Sequence, residues 1–150
     1  PDGVPPPLGP KTQISAQPLW EDLEEGEDVA VLASGARAVE RALRARELVF
    51  PLRPAVINCR TIKPLDEKML ASLAGKRLIA FEEGYAEGGF GSAAAEFFAE
   101  RNMPVSLKIM GAENRFVPHA RAQEQAEALR LSAHDLAEEI KKQFSEMQEK

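Results

Sequence analysis

The chain is poor in the residues that most often carry chemistry. Its 150 residues hold one cysteine, two histidines, one tryptophan and one tyrosine. With Cys59 alone no internal disulfide can form, which fits a reducing compartment. Two histidines and no Cys/His cluster argue against a metal site. No apolar run reaches the length of a bilayer span, and no secretory signal pattern is present. Nineteen basic against 24 acidic residues leave a net charge of −5. No basic patch stands out, so a nucleic-acid partner is not expected.

What is present is an ordinary globular composition, 44% hydrophobic and 29% charged, enough for one domain with its own core. Six of the eleven prolines fall in the first 18 residues, where Asp2 and Lys11 are the sole charges. Residues 1–16 read as an extended, polyproline-like linker from a preceding domain. Residues 17–147 then form the domain, with 148–150 as a tail.

Strands alternate with helices along that domain. Gln17–Leu23 suits an edge strand, and an acidic turn follows at Glu24–Asp28. Val29–Ala33, Ala55–Cys59 and Arg77–Phe81 are short apolar runs expected to be buried strands, with Val105–Ile109 as a fourth. Between the first two, a helix should bury Val39, Ala42, Leu43 and Val49 and end before Pro51 and Pro54. Asp66 is placed to cap a short helix carrying Met69, Leu70 and Leu73 that stops at Gly75. A helix from about Gly91 to Arg101 follows the third buried strand. In the last helix, Ser132 and Asp135 read as a capping box. Ala133, Leu136, Ile140, Phe144 and Met147 make its inner face, and Glu138 and Lys142 an outer i, i+4 pair. The pattern predicts an α/β domain with a largely parallel sheet.

The candidate functional stretch is FEEGYAEGGFGSAAAEFF, from Phe81 to Phe98. Gly88, Gly89, Gly91 and Ser92 lie where a glycine-rich loop could lead a helix N-terminus to a phosphate. Two features oppose that use: the loop begins late after its strand, and Glu82, Glu83 and Glu87 would repel a pyrophosphate. Glu82 and Glu83 are adjacent in a strand and therefore point to opposite faces, which disfavours a shared acid/base role. One is expected to bind a backbone amide and the other to face solvent or a partner subunit. His119 lies in a loop and would titrate near neutrality, whereas His134 is expected to be merely exposed. Cys59 reads as a small core residue. Neither Ser34 nor Ser92 sits in a nucleophile elbow.

The motif order is specific. GEDVAVLASGARAVERAL (Gly26–Leu43), INCRTIKPLDEKML (Ile57–Leu70), the glycine stretch, and GAENRFVPHA (Gly111–Ala120) together resemble the C-terminal domain of the transketolase group of thiamine-diphosphate enzymes. ENRFVPHA, followed by a short helix and LSAHDL, is most similar to the 1-deoxy-D-xylulose-5-phosphate synthase branch. The resemblance covers about Glu24 to Phe144. It implies a three-layer α/β/α fold on a five-stranded, mostly parallel sheet with one antiparallel edge strand. It also implies a cytoplasmic homodimer whose subunits each hold three such domains. That enzyme condenses pyruvate with glyceraldehyde 3-phosphate, with decarboxylation, for isoprenoid and thiamine biosynthesis. Its thiamine diphosphate is held through Mg2+. The branch's Gly-Asp-Gly cofactor motif is absent here, and its activating glutamate, substrate histidines and phosphate-binding arginine belong to preceding segments. The resemblance therefore places no catalytic, cofactor or metal residue on this chain, which should be inert alone. Two alternatives remain open: the C-terminal docking domain of a 2-oxoacid dehydrogenase β subunit, and a nucleotide-binding regulatory module using Gly88–Ser92.

Overall fold

The computed structural model describes residues 19–113 and 122–149. The proline-rich segment and His119 lie outside them. Among the described residues five strands and five helices follow in the order β1 Glu21–Glu24, β2 Val29–Ser34, α1 Ala36–Leu48, β3 Ala55–Asn58, α2 Glu67–Ser72, β4 Arg77–Tyr85, α3 Phe90–Glu100, β5 Ser106–Ala112, α4 Ala122–Ala128 and α5 Ala133–Gln148. The strands form one sheet in the order β1-β3-β2-β4-β5. The β1–β3 pair is antiparallel and the remaining pairs are parallel. The expected three-layer fold with one antiparallel edge strand is therefore the observed one.

Strand periodicity divides the core into two faces. Val29, Val31, Ala33, Val56, Ile79 and Phe81 face α1 and α5, where Leu136, Ile140 and Phe144 meet them. Ala30, Leu32, Ile57, Leu78 and Ala80 face α2 and α3 and pack on Leu70, Phe90, Ala94 and Phe98. At the start of β4, Arg77 donates to buried Gln143 at 2.7 Å and to Glu146 at 2.8 Å, fixing α5 along the first face.

Several local expectations need correction. The edge strand begins at Glu21, because the preceding Trp20 is committed elsewhere. Its amide donates to Asp66 Oδ2 at 2.9 Å, its indole Nε1 donates to the Thr61 carbonyl at 2.9 Å, and its ring meets Phe90 edge-on at 5.6 Å. In α1 the fully buried positions are Ala38, Ala42 and Ala45, together with Val49; Val39 and Leu43 are only partly buried. Small side chains let this helix sit close to both the sheet and α5, so larger neighbours are displaced to the flanks. β4 continues four residues beyond Phe81, and β5 continues to Ala112. On α5 the capping box forms as expected, but Glu138 pairs with Lys141 at 3.0 Å, not with Lys142. Asp66 caps α2 by accepting from the Met69 amide at 3.0 Å.

Trp20 closes the α2/α3 face, so Trp20→Ala should cost about 3–5 kcal/mol of unfolding free energy. Trp20→Phe, which keeps a ring and loses the Thr61 bond, should cost about 1–2 kcal/mol. Urea denaturation followed by circular dichroism checks this, and equal costs would show that the ring's packing does not anchor the strand.

Candidate functional site

The C-terminal end of β4 gathers the candidate residues. Alternation along the strand carries Leu78, Ala80 and Glu82 to the α2/α3 face and Ile79, Phe81 and Glu83 to the α1/α5 face. The ladder with β5 is regular to Phe81↔Met110 and resumes at Tyr85↔Ala112. Glu82, Glu83 and Gly84 thus bulge opposite the single residue Gly111. A side chain at position 111 would press on Glu82 Cγ at 2.9 Å and on the Ala86 amide at 3.0 Å.

Each glutamate ends at a helix N-terminus. Glu82, 4% exposed, accepts the Phe90 amide on Oε2 at 2.8 Å and the Gly91 amide on Oε1 at 3.0 Å. Glu83 Oε1 accepts the Ala38 amide at 2.9 Å. The residues preceding these helices are Gly89 and Gly35, neither of which supplies a side-chain cap. The first turn of a helix leaves amide donors without intrahelical partners, and an acceptor there gains from the helix dipole as well. β4 therefore supplies from a distance what the local sequence withholds. Both carboxylates bind amides: Glu82 is the buried one, and Glu83, although it also holds an amide, is exposed to solvent.

The glycine loop serves the same arrangement. A Cβ on Gly89 would collide with the Tyr85 carbonyl and the Glu82 carboxylate, and one on Gly91 would come within 2.6 Å of Ile109 Cγ2. Gly88 adopts φ +68° at the turn. Ser92 staples the loop, donating to the Ala86 carbonyl at 2.8 Å and accepting the Gly88 amide at 3.2 Å. These are the amides a phosphate would need, and the chain's own carboxylate and hydroxyl already hold them. A phosphate at α3 would have to displace a buried carboxylate, so the loop does not make a nucleotide cradle.

The remaining candidates are separate from this point. Cys59 is buried at the end of β3, where burial first, and then the negative charge of Asp66, push its thiol far above the ordinary range. Such a thiol stays protonated and is a poor nucleophile. His134 is exposed on the first turn of α5. Among the described residues no group of three or more His, Cys, Asp or Glu side chains could hold a metal ion. No helix among them is long and apolar enough to cross a membrane. Residue-by-residue reasoning missed the role of Gly111 and the two arginines beside Glu83. Arg37 and Arg41 of α1 line, with Glu83, Leu129 and Leu131, a cavity of about 120 Å³.

The family model for the transketolase C-terminal domain matches residues 20–136. A 1-deoxy-D-xylulose-5-phosphate synthase of Aquifex aeolicus is 42% identical over 106 residues, 68% of this chain and 17% of the relative. The synthase of Shouchella clausii is 37% identical over 126 residues, 81% of this chain and 20% of the relative. Among solved structures, a split-gene transketolase described as an inactive beta4 tetramer superposes with a TM-score of 0.79 at 26% identity, covering 95% of this chain and 47% of that one. A transketolase of Pichia stipitis shares the fold at a TM-score of 0.60 and 16% identity, covering 87% of this chain and 18% of that one.

Two outcomes follow from the geometry. Glu82→Ala strands two buried amides and should cost about 2–4 kcal/mol, whereas Glu83→Ala at an exposed cap should cost about 1 kcal/mol. Thermal and urea unfolding of both variants test the order, and a reversal would refute the assigned roles. Cys59 should resist a thiol-specific disulfide reagent in the folded chain and react freely once urea unfolds it. Rapid labelling of the native protein would contradict the burial argument.

Proposed function

The chain belongs to the transketolase C-terminal domain family, and from that premise we propose that it is the C-terminal domain of a 1-deoxy-D-xylulose-5-phosphate synthase. The observation that carries the proposal is the reach of the similarity. Relatives bearing that name match most of this chain, yet the chain spans only 17 to 20% of their length. The same relatives favour this reading over a docking domain of a 2-oxoacid dehydrogenase. The engaged amides of α3 weigh against a nucleotide-binding module at Gly88–Ser92.

In this reading the whole enzyme is a thiamine-diphosphate-dependent, cytoplasmic homodimer of isoprenoid and thiamine biosynthesis. It joins pyruvate to glyceraldehyde 3-phosphate with loss of carbon dioxide. Residues 1–16 link this domain, residues 17–147, to those before it, and 148–150 form a tail. Thiamine diphosphate supplies the carbanion chemistry of such enzymes, with Mg2+ on its diphosphate. The described residues do not fit that group. The α3 amides that could take a diphosphate hold Glu82, and no acidic cluster is present for the metal. No catalytic step is therefore assigned to this chain. Its contribution is a rigid sheet whose ends are tied to both helical layers, suited to support neighbouring domains and a second subunit. Gly88, Gly89, Gly91, Ser92, Glu82 and Glu83 act in that reading by shaping this end of the domain.

The isolated chain, supplied with pyruvate, glyceraldehyde 3-phosphate, thiamine diphosphate and Mg2+, should release no carbon dioxide above background. Removing residues 19–150 from the longer polypeptide should lower both dimer content and turnover at least tenfold. Turnover by the isolated chain, or full activity without it, would overturn the proposal. Sedimentation velocity and a coupled decarboxylation assay provide the two readouts.

A further inference from the structure

The connections leaving β2 and β4 diverge. From β2 the chain passes through α1 to β3 on one side, and from β4 through α3 to β5 on the other. α1 lies on one face of the sheet and α3 on the opposite one. The carboxyl ends of β2 and β4 therefore flank a topological switch point, where open α/β sheets leave a crevice suited to ligands. The α3 side of that crevice is closed by Glu82. On the α1 side the described residues leave a cavity of about 120 Å³.

Its lining has a definite chemistry. Ala126, Leu129 and Leu131 give it apolar walls, and Arg37, Arg41 and Glu83 give it charge. Arg37 and Arg41 are one helical turn apart on α1, so their guanidinium groups serve the same opening. Arg41 Nη1 donates to the Leu131 carbonyl at 3.3 Å, which steadies the side chain and leaves its other donors unspent. Arg37 is exposed. Glu83 spends Oε1 on the Ala38 amide, which leaves Oε2 as an acceptor. Two guanidinium groups beside one carboxylate make a locally positive site, and arginine's planar fork suits phosphate and carboxylate oxygens.

We propose that this cleft binds a small anion, a phosphate or carboxylate head group held by Arg37 and Arg41, on a molecule that also offers a hydroxyl donor to Glu83. At about 120 Å³ the cleft is well below the roughly 300–1,000 Å³ typical of sites for larger ligands. That scale suits the head group of a hydroxylated phosphate monoester or a hydroxycarboxylate. The site goes beyond the proposed enzyme and does not depend on it, since binding is read without turnover.

The test uses the 150-residue chain, with backbone amide shifts followed by NMR as inorganic phosphate, glycerol phosphate or malate is added. Saturable shifts centred on Arg37–Arg41 and Leu129–Leu131 are expected, with glycerol phosphate tighter than inorganic phosphate. Saturation by phosphates alone would name a phosphate head, and saturation by malate as well would name the shared anion chemistry. Arg37→Gln, at an exposed position, should weaken binding about tenfold, the loss of one charge-assisted contact. Arg37→Gln with Arg41→Gln should abolish it, while Arg60→Gln should leave it unchanged. Glu83→Gln should tighten inorganic phosphate and erase the preference for glycerol phosphate. Absence of saturable shifts with every probe would overturn the proposal, as would shifts centred elsewhere or unchanged binding by Arg37→Gln.

Discussion

The domain depends on one constraint at the end of β4: two consecutive carboxylates must each reach a helix that begins without its own cap. A strand sends neighbouring side chains to opposite faces, so Glu82 reaches α3 and Glu83 reaches α1 from a single backbone segment. Both helical layers are thereby referenced to one strand end. The bulge opposite Gly111 gives Glu82 room to turn onto α3. Glycines at the helix starts are then required by the carboxylates, and the carboxylates are required because glycine supplies no cap. Neither half of this arrangement works alone.

The rest of the core is built to let that strand end sit where it does. Alanines along α1 bring the helix close to the sheet, which sets its N-terminus within reach of Glu83. On the other face Gly91 lets α3 approach β4 and β5, and Phe90 then lies against Trp20. Trp20 in turn shares Asp66 with the cap of α2. The α2/α3 layer is thus tied to the edge strand by one indole and to the sheet centre by one carboxylate. Arg77 does the corresponding work at the opposite end of β4, where buried Gln143 and Glu146 accept its guanidinium.

Much of this was legible in the sequence because it is local or periodic. The apolar runs at Val29, Ala55 and Arg77 mark the strands, and Asp66 and Ser132 mark helix starts through side chains three residues from their partners. The opposite orientation of Glu82 and Glu83 follows from strand periodicity once β4 is placed. What could not be read is non-local. EEGY looks like a loop by composition and becomes strand because Tyr85 pairs with Ala112. The partner of Glu83 is an amide 45 residues away in the chain. The inner face of α1 was legible in Ala42 and Val49, whereas Val39 and Leu43 pack at its flank because close helix packing selects alanine at its centre. Nothing local in the sequence joins Arg37 and Arg41 to Leu129 and Leu131, some 90 residues on, with which they line a cavity.

Helix N-termini at the carboxyl edge of a parallel sheet attract anions whatever their source. Here the anion at α3 is covalently part of the domain. Glu82 occupies both amides with both oxygens and is buried, so that end is filled from within. At α1 the same device is half used, since Glu83 gives one oxygen to one amide and stays exposed. The difference follows from position: the α3 terminus is enclosed by the bulge and the glycine loop, whereas the α1 terminus opens toward α4 and the Leu131 connection. Any capacity for an external anion therefore moves from the glycine loop, where the sequence advertises it, to the arginine side of the same strand end. The glycine stretch and the arginine pair are two outcomes of one geometry, distinguished by whether the chain brings its own carboxylate all the way in.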